Sequence, residues 1–183
     1  MDSSDDQPRG KSKDKAQKRA LGLAGELLAE RLLQRARFTE IRQLNEEKTN
    51  FEFADLFAIR AGVRYAISVK ARNRFEWNGG KENPRFKLGK VSPPVDQLPR
   101  CRGLAARVCR ELNAVGAWVI IRYQEELCDA YFGTLEFLDA RQQQFSNGPA
   151  TAVLTGPKHL HNYELLAKDE PHGIDYSLIR NFA

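Results

Sequence analysis

Apolar residues recur along this chain with two different periods. Between residues 15 and 37, Leu21, Leu28, Leu32 and Ala36 fall on one arc at about 100° per residue, and Ala29 and Leu33 widen it. That spacing predicts an amphipathic helix. A second helical stripe, Leu98, Cys101, Leu104, Ala105, Val108, Cys109 and Leu112, follows the Pro93-Pro94 pair, with Arg100, Arg102, Arg107 and Arg110 mostly off it. Between these stripes the period is two. Over residues 51–59, Phe51, Phe53, Asp55, Phe57 and Ile59 share one face. Arg60-Ala61-Gly62 turns the chain. Val63, Tyr65, Ile67 and Val69 then form one face of the next strand, and Arg64, Ala66, Ser68 and Lys70 form the other, with Lys70 at its end. Weak alternation over 38–44 predicts an earlier strand, and the polar stretch 45–50 a turn. The apolar run 117–123 reads as a buried strand. Residues 131–138, 151–154 and 163–167 are further strand candidates.

The resulting order is helix, three strands, helix, strand, then a mixed tail. It predicts an α/β fold with a mixed central sheet flanked by helices. Residues 1–15 are charged, with little to bury, and read as a disordered arm. Residues 16–138 form the expected core, and 139–183 an extension packed on the same domain. The formal net charge of +5 and pI of about 9.2 favour an anionic partner, most simply nucleic acid. Cys101, Cys109 and Cys128 have neither the number nor the spacing of a disulfide framework or a zinc knuckle. A reducing, cytoplasmic setting is expected, without a secretory signal or a membrane span.

The unusual residue in this pattern is Asp55. Its face-mates are Phe53, Phe57 and Ile59, and an unpaired carboxylate buried among them would cost several kcal/mol, on the order of the desolvation of one ion. A metal, a lysine, an arginine at the strand end or an opening to solvent would compensate it. Lys70, across the turn, can reach the same place, and its small face-mates Ala66 and Ser68 leave room for a ligand. Glu26 lies at the rim of the first helix's apolar arc, about 20° from Leu33 on the wheel. Gly25 and Ala29 beside it allow close approach to a sheet. Glu30, one turn later, is further towards the polar side.

The series Gly25-Glu26-x-x-Ala29, Ala54-Asp55-Leu56 and Ser68-Val69-Lys70-Ala71-Arg72 resembles the PD-(D/E)XK nuclease superfamily, closest to its restriction-endonuclease-like and Holliday-junction-resolvase-like branches, over roughly residues 20–125. The resemblance implies a restriction-endonuclease-like core of αβββαβ order and Mg²⁺- or Mn²⁺-dependent phosphodiester hydrolysis of DNA, as an endonuclease or an exonuclease. It implies Asp55 as the metal-binding acid at the end of the second strand and Glu26 as the first-helix acid. Lys70 would be the motif lysine that orients water and steadies phosphate charge, and the Val69 main-chain carbonyl a further ligand. Homodimers are common among such proteins. Two departures stand out. Ala54 replaces the proline before the acid. Ser68 occupies the place of the second acid, and a hydroxyl is a weaker, neutral ligand for Mg²⁺. Glu76 or Glu82 would have to fill in from downstream. Without that, the chain is either active on Glu26 and Asp55 alone or a nuclease-fold module that binds nucleic acid or mediates assembly without cutting.

Arg72, Arg74, Lys81, Arg85, Lys87 and Lys90, interleaved with Phe75, Trp77 and Phe86, suit contact with a phosphate backbone. Gln97 near the second helix is a further polar candidate. His159 and His161 form an H-x-H pair without a third ligand in sequence. No G-x-S-x-G turn and no phosphate-cradling glycine loop occurs, so neither a serine hydrolase nor an NTPase of that type is supported.

Overall fold

The computed structural model describes residues 10–47, 53–74, 98–138, 140 and 157–174. Helix α1 spans Gly10–Arg35, starting five residues before the expected boundary at 15. It leads into strand β1 (Thr39–Gln43), the short turn α2 (Leu44–Glu47), β2 (Leu56–Arg60), β3 (Val63–Asn73), α3 (Leu98–Glu111), β4 (Val115–Gln124), β5 (Leu127–Thr134), a helical turn at Pro157–Leu160 and β6 (Glu164–Pro171). The six strands form one sheet in the order β1-β2-β3-β4-β5-β6. Only β3 and β4 run parallel, so the link between them must cross back over the sheet, and it carries α3.

The predicted periodicities explain which faces are buried. Leu28, Ala29, Leu32 and Leu33 of α1 pack against Leu56, Ala58, Ile67, Val69 and the odd-numbered apolar residues of β4. Leu21 and Ala36 pack at the margin of that cluster. On the opposite face, Phe57 and Ala66 meet Val108 of α3 and Leu44, while Trp118 and Ile120 meet Leu138, Leu160 and Tyr163.

Both long helices end by the same device. Phe38 N–H donates to Leu33 O and Arg37 N–H to Gln34 O, with Arg37 at φ 64°. Ala114 N–H donates to Cys109 O and Asn113 N–H to Arg110 O, with Asn113 at φ 46°. Each is a Schellman-type end that satisfies the last carbonyls and aims the chain into the following strand. The β2–β3 hairpin closes through Ala61 and Gly62, both at positive φ, as a two-residue type I′ turn requires.

The structure corrects several boundaries. Strand β2 begins at Leu56, not at residue 51. Residues 51 and 52 lie outside the described residues, and Phe53 adopts φ 71°, a left-handed conformation that breaks an extended chain. The alternation of Phe57 and Ile59 is that of a strand; Asp55 instead precedes it. β3 continues three residues past Lys70. The strand expected over 131–138 is β5, shifted to Leu127–Thr134, after which residues 135–138 are helical. The segment 151–154 lies outside the described residues. Residues 163–167 fall largely in β6, which pairs with β5 and so adds the tail to the same sheet.

Candidate metal and phosphate site

The site is fixed by the register of the hairpin. Arg60 pairs with Val63 next to the turn, and the ladder runs back to Leu56 opposite Ile67. One step further, Asp55 N–H donates to Ile67 O at 2.8 Å. Asp55 therefore sits at the start of β2, not at a strand end reached later in the chain. Its carboxylate turns toward the edge that β3 leaves open there. Asp55 Oδ2 accepts Val69 N–H at 2.6 Å and lies 3.4 Å from Ser68 Oγ. The N–H and C=O of one strand residue point to the same edge, so the Val69 carbonyl is directed toward the same opening. Leu44 N–H donates to Asp55 O at 2.9 Å, which sets the α2 turn directly beside the acid.

Glu26 comes to the same place from α1, above the sheet. Close approach of the helix is possible because residue 25 is glycine: a Cβ there would stand 2.7 Å from Ala71 Cβ. Glu26 is half-buried, and its carboxyl is raised from the ordinary value of 4.5, first by burial and then by the negative charge of Asp55. A hydrogen bond from Asn45 and the positive charge of Lys70 pull it the other way. Glu26, Asp55 and Lys70 are thus within electrostatic reach of one another.

Ser68 is buried, and Lys70, two residues on along the same face, is half-buried. Ser68 does not replace a carboxylate. Its hydroxyl faces Asp55, and among the described residues no group of three His, Cys, Asp or Glu side chains converges. Glu30 accepts from Gln43 Nε2 at 3.1 Å and Gln34 Nε2 at 3.4 Å. Glu76, Glu82, Lys81, Arg85, Lys87, Lys90 and Gln97 lie outside the described residues. Arg72 is within β3 and Arg74 just beyond its end.

Asn45 is the site residue that periodicity did not reveal. It stood in a stretch legible only as a polar turn. His172 was also missed. It is buried, with Nε2 2.5 Å from Glu125 O, Nδ1 accepting Ile174 N–H at 3.0 Å and its ring against Tyr123. Those contacts make it a clamp on the β4–β5 turn. Cys128 lies in the core, its thiol pushed up to about 11 by burial and by Asp129, which leaves it without thiolate character.

Two carboxylates, a directed carbonyl and an ammonium form a donor set of hard oxygens with one compensating cation. Oxygen donors of this kind suit Mg²⁺ or Mn²⁺, and a divalent ion would offset the burial and the Asp55 charge that raise Glu26. No helix among the described residues is long and apolar enough to cross a membrane. Comparison with family models, curated proteins and solved structures finds no match.

Proposed function

We propose that this chain hydrolyses phosphodiester bonds of DNA with a divalent cation, on a restriction-endonuclease-like core. The observation that carries the reading is the meeting of Glu26, Asp55 and Lys70 at the start of β2, with the Asp55 carboxylate fixed by Val69 N–H at 2.6 Å. Asp55, Glu26 and the Val69 carbonyl would hold the ion, and when bound it would polarise the phosphate and acidify water. Lys70 supplies positive charge where charge develops on the phosphate, and it orients the attacking water. The water oxygen bonds to phosphorus, its proton passes to solvent or a phosphate oxygen, and the departing alkoxide is protonated as its bond to phosphorus breaks. The Asn45 hydrogen bond favours the charged form of Glu26, against the burial and the Asp55 charge that raise it.

Ser68 favours a second reading, in which the same fold binds nucleic acid or supports an assembly without cutting. The two readings separate in one assay. Labelled DNA is incubated with Mg²⁺ or Mn²⁺ and wild-type protein, Asp55→Ala or Lys70→Ala. Hydrolysis predicts metal-dependent cleavage that falls by roughly 10² or more in each variant. Cleavage undiminished in both variants rules out this site. Salt-sensitive binding without cleavage, indifferent to Asp55→Asn, supports the second reading.

A further inference from the structure

Beyond Lys70 the same sheet face carries another group of charges. Arg72, Arg122 and Asp129 are register partners across β3, β4 and β5, two residues along each strand from Lys70, Ile120 and Tyr131. Arg122 and Asp129 are buried, and Arg72 is exposed. Asp129 Oδ1 accepts Asp169 N–H at 3.0 Å, and its Oδ2 lies 3.8 Å from Arg74 Nη1. That nitrogen also donates to Gln124 Oε1 at 2.9 Å. Arg122 shares a hydrogen bond with the Tyr131 hydroxyl.

The Asp129 carboxylate is therefore paired with Arg74, while Arg122 lies next to it in register and Arg72 one strand further. Arg72 and Arg122 are direct neighbours on adjacent strands, where like charges repel. An anion lying over the row relieves that repulsion. Arg122 is buried, so the exposed positive charge of the row is that of Arg72, with Arg74 half-buried beside it. Lys70 and Arg72 are two residues apart on β3, about 6.6 Å at the rise of a strand. That is of the order of one nucleotide step along a phosphodiester chain.

We propose that Arg72 and Arg74 bind the backbone phosphate next to the one held at Asp55, Glu26 and Lys70, with Arg74 held in place by Asp129 and Gln124. The inference rests on the hydrolytic reading for which phosphate is meant. It sets the substrate class: a strand with at least two consecutive phosphodiesters, not a mononucleotide ester.

The test measures binding without cleavage, using full-length Asp55→Asn protein, EDTA and a fluorescein-labelled DNA duplex over a salt series. Adding Arg72→Gln or Arg74→Gln lowers the slope of log affinity against log salt, and the two together lower it by about 0.9, the loss of one phosphate contact. Arg64→Gln, on the same face of β3 but near the hairpin turn, leaves the slope unchanged. Unchanged slopes in both Arg72→Gln and Arg74→Gln overturn the proposal, as does an equal fall in Arg64→Gln. Slopes that fall as expected in a protein that never cleaves uphold the phosphate row and reject only the hydrolytic reading. Metal-dependent cleavage with unchanged slopes rejects the row alone.

Discussion

Glu26 shows most plainly what the site costs the fold. Burial and the neighbouring Asp55 charge raise its carboxyl above 4.5, so the folded protein holds this proton more tightly than the unfolded chain does. Its contribution to stability is complete below 4.5 and is lost as pH rises through the window between 4.5 and the raised value. Thermal melts of the metal-free protein are expected to show this loss between mildly acidic and neutral pH. Glu26→Gln removes that pH dependence, melts higher than wild type near pH 7 and abolishes metal-supported activity. A Glu26→Gln protein less stable than wild type at neutral pH would contradict the charge crowding. Mg²⁺ should raise the wild-type melting temperature by binding the folded state only, and should not raise that of Glu26→Gln.

The elements show how much of the site could be read from the chain. The hairpin was legible because Ala61 and Gly62 form a two-residue turn, and counting back from it places Asp55 against Ser68 and Val69. The wheel of α1 correctly put Glu26 at the rim of the apolar stripe. Asn45 was not legible, because its contact with Glu26 depends on α2 lying between α1 and the start of β2. The row Arg72, Arg122 and Asp129 was hidden for a different reason: its register is set by a parallel pairing across the α3 crossover, which no local pattern encodes. The start of β2 was misplaced because alternation continues through Phe53, while the backbone there is left-handed. The α1–β3 contact is the element-level link to chemistry. Gly25→Ala places a methyl group 2.7 Å from Ala71 Cβ, which should cost about 1–3 kcal/mol of stability. It should also lower cleavage further than the lost folded fraction explains, by lifting Glu26 from Asp55. The double variant Gly25→Ala, Ala71→Gly should regain both, as read by denaturant midpoint and rate per folded molecule. No recovery would show that close packing here does not position Glu26.

At the scale of the whole molecule, one side-chain contact joins β2 to the edge strand β6. Arg60, at the far end of β2 from Asp55, bonds Glu164 of β6 through two nitrogens at 2.5 and 2.7 Å. Its guanidinium lies over the rings of Phe38 and Phe132, which with Tyr65 form a mutually edge-on trio. A half-exposed ion pair and cation–π contacts together are worth about 1–2 kcal/mol. Arg60→Ala should lower the unfolding free energy by that amount and leave the cleavage rate per folded molecule intact. An equal loss of activity would mean that the link between β2 and β6 itself shapes the site. On the opposite side of this scaffold, α1, α2, the start of β2 and β3 bring Glu26, Asn45, Asp55 and Lys70 together, and the proposed function needs them to form a divalent-cation site. The most direct measurement is a crystal grown with Mn²⁺ and recorded for anomalous scattering. The account predicts a single strong peak between Asp55 and Glu26, about 2.1 Å from their oxygens and also within reach of the Val69 carbonyl. Glu76, Glu82 or water would fill the place that Ser68 leaves. No peak there, with Asp55 and Glu26 still apart and Mn²⁺ bound elsewhere or nowhere, would contradict it.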